Sequence, residues 1–553
     1  MSPASLTQML VFAAVLVTAA YALGGWMARV FSPTRTPGPA ERAFLRLIRA
    51  DGGPQGWRAY AASLLAFSGV SVAVLLLGLL AQGHLPLNPN QFPGLPPLLA
   101  LHTSASFVSS TNWQFYSGEA TMSYLSQMAG LAVQNFAAPA VGLAVLVATT
   151  RALRPRPTGH LGNFWVDLYR SLAFVLLPLT VVAALLLTYQ GTPQTLQATA
   201  TAVTVEGDQQ PIARGPVATQ VAIRHLGTNG GGFYNTNAAT PFENPNGLTN
   251  VFELFLQLIV PTACVFMFGR LVGSRRLAWV VIATMLALAA AGVAVAVGGE
   301  LHGSQVLRSS GLSETANMAD KEVRIGVAGS AFFASGTTAG SGSGVDTGHD
   351  ALTAAGGAVP LVNMFTGVIG GVGAGMLSML FKILLAVFVA GLMIGRTPQL
   401  LGKKIGALEM KLVAVGLLAV PVIVLAATGL SIATSTGRES IFNPGPHGFT
   451  ETLYAFTSQA NNNGSAFAGF GYTDFQAVLG TGVMLAGRLV PLMAMLALAG
   501  ALAGKRAVPV SRGTLRLDTP TFAVLLAGTV VITSALTLLP SLSLGPIVEA
   551  LAS

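Results

Sequence analysis

Ten apolar segments, each long enough to cross a bilayer, leave this chain few folds to choose from. They run approximately over 5–30, 57–82, 122–149, 165–189, 248–271, 277–298, 362–395, 407–431, 475–502 and 520–542. A helix needs about 20 residues to span the hydrocarbon. Backbone polar groups there must be satisfied within the segment, so such runs are helices. Only 9% of the 553 residues are charged, against about 25% in soluble domains. The expected fold class is an all-α polytopic membrane protein with ten transmembrane helices. The first apolar run, Met9 to Trp26, has no Lys or Arg before Arg29. A cleavable signal peptide carries its positive charge first. This segment is therefore expected to stay as a helix with its N-terminus outside. The lone cysteine, Cys264, permits no internal disulfide and reads as a packing residue.

The net charge of +9 does not point to nucleic acid, because the positives cluster in alternate short loops. The clusters are Arg35, Arg42, Arg46, Arg49 and Arg58; Arg151, Arg154 and Arg156; Arg270, Arg275 and Arg276; Arg396, Lys403, Lys404 and Lys411; and Lys505, Arg506, Arg512 and Arg516. The longer loops, 83–121, 190–247, 299–361 and 432–474, hold only Arg214, Arg224, Arg308, Lys321, Arg324 and Arg438. Cytoplasmic loops carry the excess of Lys and Arg. The basic loops are thus expected in the cytoplasm and both termini on the extracytoplasmic side.

Each long outer loop contains an apolar stretch too short to span, followed by a cluster of Gly, Asn, Thr or Gln. The stretches are Pro96–Ser110, Pro216–Gly227, Gly326–Gly336 and Phe449–Ala460. The clusters are Thr111-Asn112-Trp113-Gln114, Thr228-Asn229-Gly230-Gly231-Gly232, Thr337-Thr338-Ala339-Gly340 and Asn461-Asn462-Asn463-Gly464. A near-constant spacing between clusters marks an internal repeat. The unit is helix, re-entrant half-helix, polar loop, helix. The expected units are 57–149, 165–271, 277–395 and 407–502, in a pseudo-fourfold arrangement. One extra helix is left at each end, 1–30 and 520–542.

Four such loops suggest one pore. A potassium ion gives up its hydration shell only if other oxygens replace it, and backbone carbonyls converging from several sides can do so. Glycines supply the backbone freedom. Half-helices would direct their negative C-terminal ends at the ion. None of the four clusters contains a carboxylate, which favours a monovalent cation over calcium or magnesium.

Longer motifs agree. His102-Thr103-Ser104-Ala105-Ser106-Phe107-Val108-Ser109-Ser110-Thr111-Asn112-Trp113-Gln114 resembles the first pore loop of the potassium-binding A subunits of Kdp-type potassium-pumping ATPases. Gly227–Phe233 with Asn244–Asn250 resembles that family's second loop, and Asn461–Phe467 its fourth. Val359–Met364 with Gly391–Pro398 resembles its seventh helix. The resemblance implies a channel-like subunit of the potassium-transporter superfamily in the bacterial inner membrane. Potassium would enter the filter from outside and pass sideways through a tunnel to a separate P-type ATPase subunit. A small single-span subunit and another accessory would complete the complex. Filter positions carry over to Gln114, Gly232, Gly340 and Gly464. The third loop departs from the family pattern, with Ala339 and a Ser341-Gly342-Ser343-Gly344 run. An autonomous potassium channel or symporter of the same fold stands as the alternative. A hydrolase built on Ser109 or Ser110 with His102 lacks a nucleophile elbow and leaves the repeat unexplained.

The chain carries neither G-x-x-x-x-G-K-[ST] nor Asp-Lys-Thr-Gly, so nucleotide is expected on a partner and not here. Gly367, Gly370, Gly371, Gly373 and Gly375 in the seventh segment suggest a broken helix that gates below the filter, or close helix packing. Lys382 and Arg488 fall inside spans, where charge is expensive. They read as a positive barrier to straight-through passage, or as structural pairs. Arg170 is expected to snorkel to the interface. Glu119, Glu243, Asp474, His349 and Asp350 follow the clusters, either concentrating cations at the mouth or capping loops. Trp26, Trp57, Trp165 and Trp279 read as interfacial anchors, and Trp113 as packing behind the first filter strand.

Overall fold

A computed structural model describes the chain except residues 1–2, 33, 156, 158, 304–308, 310, 312–315, 396, 510–513 and 553. Arg156, Arg308, Arg396 and Arg512 therefore lie outside the described residues. Ten described helices are long and apolar enough to cross a membrane. Spans 1 to 5 are Ser5–Val30, Trp57–Leu80, Ser126–Ala152, Phe164–Tyr189 and Gly247–Leu271. Spans 6 to 10 are Arg275–His302, Ala374–Met393, Ala407–Ala433, Asp474–Ala503 and Pro520–Leu544.

Four shorter helices dip between them: half-helix 1, Pro97–Val108; half-helix 2, Val217–Leu226; half-helix 3, Gly326–Ala339; and half-helix 4, Gly445–Ala460. Proline opens half-helix 1 at Pro97 and sits in the first turn of half-helix 4 at Pro446, where a missing N–H costs nothing. The order span, half-helix, loop, span recurs four times, with spans 1 and 10 outside the repeats. This is an all-α membrane fold of pseudo-fourfold plan.

The spans that follow the loops form the interior. In spans 3 and 5 the most apolar stretch is 89% and 83% buried, against 17% and 22% in spans 1 and 2. Span 1 lies against span 5 through Gly24. A Cβ there would come within 2.7 Å of the Ala263 carbonyl oxygen and Phe266, the close backbone approach that small residues allow between membrane helices. Cys264 is buried in the same layer.

Span 7 has an additional helix ahead of it. The segment expected over 362–395 is two helices, Ala354–Thr366 and Ala374–Met393. Between them Gly367, Gly370 and Gly373 hold φ of 51°, 69° and 73°. A helix cannot continue through left-handed backbone, and glycine adopts it without steric cost.

Arg170 does not snorkel. It is buried and pairs with buried Glu41 at 2.6 Å, while its guanidinium also donates to the Arg35 carbonyl. The first basic loop is thereby fastened to span 4, because a buried guanidinium needs a partner more than it needs the interface.

Candidate functional site

The four half-helices end in one way. Each is followed by a residue in left-handed backbone that turns the chain back: Ser110 (φ 73°), Thr228 (φ 51°), Ser341 (φ 47°) and Asn462 (φ 53°). Such conformations are uncommon outside glycine, and their recurrence four times identifies equivalent positions. Beyond them the loops converge. A Cβ added to Gly230 would lie 2.0 Å from the Thr111 carbonyl oxygen, 2.7 Å from Ser343 Oγ and 2.8 Å from Gly464 Cα. One added to Gly464 would lie 1.7 Å from that same Thr111 oxygen. One residue from each loop thus meets at a single point, and two of the four must be glycine.

Hydrogen bonds close the ring. Loop 1 joins loop 2 through Ser110 Oγ to Asn229 Oδ1 at 2.9 Å. Gln114 extends this join: its Nε2 donates to the Gly232 carbonyl at 3.0 Å, and its Oε1 accepts from the Gly232 N–H at 2.9 Å. Loop 2 meets loop 3 where the Ser343 N–H donates to the Asn229 carbonyl at 3.4 Å. Loop 3 meets loop 4 where Asn463 Nδ2 donates to the Gly342 carbonyl at 3.2 Å. Loop 4 returns to loop 1 where Asn462 Nδ2 donates to Thr111 Oγ1 at 2.9 Å. The donors and acceptors in this ring are all uncharged.

Support comes from behind. Asn112 Nδ2 bonds Asn135 Oδ1, and Asn229 Nδ2 bonds the Asn135 carbonyl at 2.8 Å, so one residue of span 3 braces two loops. Trp113 is buried edge-on against Phe115 and Phe470, behind the first strand as expected. Gly231 holds φ 62°, and its carbonyl accepts from Arg224 at 3.0 Å.

The third loop sits later in the sequence than expected. Thr337, Thr338 and Ala339 form the last turn of half-helix 3, and Gly340 caps it. The threonine hydroxyls bond back to the Phe333 and Ala334 carbonyls at 2.9 and 2.7 Å, which lets threonine stay helical. The convergent strand is Ser341 to Gly344, the Gly/Ser-rich run.

The gate candidates lie directly below. The Val372 N–H donates to Thr228 Oγ1 at 2.9 Å, and the Ile369 and Gly370 N–H groups donate to the Ala339 carbonyl at 3.0 and 2.8 Å. A Cβ at Gly371 would lie 3.0 Å from Thr228 Oγ1, and one at Gly373 would lie 2.2 Å from the Gly142 carbonyl of span 3. Lys382 Nζ bonds the Thr366 carbonyl, at the C-terminal end of Ala354–Thr366, where a cation suits the helix dipole. Arg488 Nη2 bonds the Ala138 carbonyl at 2.8 Å. Thr228, Ser341, Gly370, Gly371, Lys382 and Arg488 all line one cavity of about 390 Å³.

The carboxylates after the clusters have mixed fates. Glu243 is fully buried and pairs with Arg224 at 2.6 Å, so it braces loop 2. Glu119 accepts from the Asn235 N–H at 3.0 Å, and burial raises its pKa. Asp474 starts span 9 and accepts from the Tyr472 hydroxyl at 2.8 Å. His349 is buried against the Tyr454 hydroxyl at 2.6 Å, and burial lowers its pKa to about 4. Asp350 bonds His447 at 2.9 Å. The bracing roles of Asn135 and Arg224 have only faint signals in the sequence, a lone Asn in an apolar span and a lone Arg in a half-helix.

Four half-helices whose uncharged loops converge among ten membrane-length helices define the fold. The potassium transporter TrkH of Vibrio parahaemolyticus shares it, with a TM-score of 0.51 at 14% identity over 79% of this chain and 84% of that one. Residues 10–551 match the family model described as KdpA, potassium-transporting ATPase A subunit, and the chain belongs to that family. It is 49% identical over 556 residues to the potassium-transporting ATPase potassium-binding subunit of Methylobacterium nodulans, covering 99% of this chain and 97% of that one. The subunits of the same name from Mesorhizobium japonicum and Klebsiella pneumoniae are each 47% identical. They cover 99% and 97% of this chain, and 98% and 97% of their own lengths.

Proposed function

We propose that this chain binds extracytoplasmic potassium in its loop ring and passes it to a P-type ATPase partner for ATP-driven uptake. The observation that carries the reading is the closed ring of uncharged loops around Gly230 and Gly464. Neutral oxygens on backbone and amide side chains suit a monovalent cation that sheds its water. The filter comprises Thr111, Asn112, Trp113 and Gln114; Thr228, Asn229, Gly230, Gly231 and Gly232; and Asn461, Asn462, Asn463 and Gly464. In the third repeat, Thr337, Thr338, Ala339 and Gly340 supply the carbonyl end of the half-helix, and Ser341 to Gly344 the strand. The repeats are the units 57–149, 165–271, 277–395 and 407–502, between extra helices 1–30 and 520–542.

The names of the relatives support potassium as the cargo and an ATPase as the assembly. We assign ATP hydrolysis to the partner, with a small single-span subunit and a further accessory completing the complex. The bacterial relatives support an inner-membrane location, and the charge pattern of the loops supports both termini on the extracytoplasmic side. Below the ring, the Gly367–Gly373 break, Lys382 and Arg488 stop direct passage and turn the ion aside. A high-affinity ring cannot by itself concentrate an ion against its gradient, which is why a motor is required.

Purification in mild detergent tests this reading. The expected result is co-purification of a large ATPase chain with potassium-stimulated ATP hydrolysis. Sustained potassium flux through liposomes holding this chain alone would favour the autonomous channel instead.

A further inference from the structure

Behind loops 2 and 3 lies a buried cluster that the ring itself does not use. Arg224, at the end of half-helix 2, has no solvent exposure. Its Nη1 donates to the Gly231 carbonyl at 3.0 Å, Asn237 Oδ1 at 2.8 Å and Glu243 Oε2 at 2.6 Å. Glu243 Oε1 in turn accepts from the Tyr234 N–H at 2.9 Å. One guanidinium thereby fixes both the filter strand of loop 2 and the chain leaving it.

The other side of Arg224 reaches loop 3. Its Nη2 lies 2.7 Å from His225 Nε2. The Thr337 carbonyl can only accept, so Gln257 Nε2 donates to it at 3.1 Å. That bond fixes which way the amide faces and leaves Gln257 Oε1 to His225 Nδ1. Nδ1 lies 2.9 Å from Gln257 Oε1, so it carries a proton and donates to it. The carboxyl of Glu253, 2.9 Å from His225 Nε2 and 3.7 Å from Arg224 Nη2, closes the cluster.

The cluster also explains the composition of loop 3. A Cβ at Gly340 would lie 2.8 Å from Leu258, one at Gly342 would lie 1.9 Å from Gln257 Nε2, and one at Gly344 would lie 2.6 Å from His225 Cε1. The alternating glycines are the imprint of side chains pressed against the strand from behind. Loops 1 and 4 have no such ionic backing among the described residues. Their supports are Asn112, Asn135, Trp113 and Asn462.

We propose that Arg224, His225 and Gln257 form a positioning relay that fixes the spacing of loops 2 and 3, and with it the filter's discrimination among monovalent cations by size. The proposal rests on the potassium-filter reading above. The relay touches no ion; it acts through the Gly231 and Thr337 carbonyls and the Gly342 and Gly344 backbone. Gln257 is the sharpest point of attack, since it is uncharged and its removal leaves the Arg224–Glu243 pair intact.

The test uses the reconstituted whole complex, with ATP hydrolysis titrated by potassium, rubidium and sodium. Gln257→Leu should narrow the ratio of rubidium to potassium half-saturation by about fivefold or more, as expected for a lost buried hydrogen bond of about 1 kcal/mol or more. Arg224→Gln should narrow it further. Equal shifts for both ions, or none, would make the relay merely structural and overturn the proposal. Gly464→Ala, in loop 4 and without a contact to Arg224, His225 or Gln257, separates the two claims. If it also leaves potassium half-saturation untouched, the filter reading itself fails. If it shifts potassium while Gln257→Leu leaves the ratio fixed, only the relay fails. Should Gln257→Leu not assemble, Gln257→Met is decided by the same ratio, and failure of both to assemble counts against the proposal.

Discussion

The Val372 N–H donates to the hydroxyl of Thr228 at 2.9 Å, so the break ahead of span 7 hangs from loop 2. Thr228 is itself held in left-handed backbone at φ 51°, and its hydroxyl donates onward to the Gly227 carbonyl at 2.7 Å. A shift in either segment is felt by the other. The same break is bonded to the end of half-helix 3 through the Ala339 carbonyl. Loops 2 and 3 and the glycine break are one hydrogen-bonded unit.

Thr228→Val keeps the shape of the side chain and removes the acceptor. The Val372 N–H is then buried without a partner, at a cost of about 1–3 kcal/mol. Half-saturation for potassium in the reconstituted complex should rise roughly tenfold, while Thr228→Ser should stay near wild type. Equal behaviour of the two variants would show that the tether is dispensable.

Gly232→Asp attacks the ring from its outer end. A Cβ at Gly232 would lie 2.8 Å from both Arg224 Nη1 and Glu243 Oε1. The new carboxylate would therefore compete with Glu243 for one guanidinium, and it would displace the Gly232 backbone that Gln114 clasps. Potassium half-saturation should rise by more than tenfold, and discrimination against sodium should fall. An unchanged titration curve would remove Gly232 from the filter.

Much of this arrangement was legible in the sequence because it rests on glycine and on period. Gly230 and Gly464 are required where loops meet, and the glycines from Gly367 to Gly373 are required where a helix breaks. The half-helices were visible as apolar stretches too short to span. The third loop was harder to read. Thr337 and Thr338 look like loop residues, but each hydroxyl can satisfy a carbonyl in the preceding turn, so the helix runs on to Ala339. The strand that converges with the other loops, Ser341 to Gly344, is shaped by His225 and Gln257 from distant segments, and no local pattern records that. The fate of Glu243 was equally hidden. A carboxylate 19 residues after Arg224 has no sequence signature as its partner, and only the fold of the intervening loop brings the two together.

Lys382→Ala and Arg488→Ala test the proposed barrier. Both charges line the cavity under the break, and both are satisfied by carbonyls, of Thr366 and Ala138. Neither is bonded to a carboxylate partner among the described residues. Removing either should let ions pass without committing them to the motor. Potassium accumulated per ATP should fall by half or more while ATP hydrolysis continues. A normal ratio in both variants would reduce these residues to helix caps.

His447 joins three segments. Its Nε2 lies 2.9 Å from Asp350, which follows loop 3, and its Nδ1 lies 2.8 Å from Glu549 in the final helix Pro546–Ala552. With a carboxylate at each nitrogen the imidazolium is favoured, and hydrogen bonds to Asp350 and Glu549 raise the pKa from 6.5 to about 10. A folded-state pKa above the unfolded value stabilises the fold fully below about pH 6.5 and is lost as pH rises through about 10. Thermal unfolding of the complex should therefore show a midpoint that declines from pH 7 to pH 10. In His447→Gln the midpoint should already be lower at pH 7 and decline less over the same range, because the group that loses its proton is gone. Parallel decline in both proteins would place the pH sensitivity elsewhere and leave His447 as an ordinary polar contact.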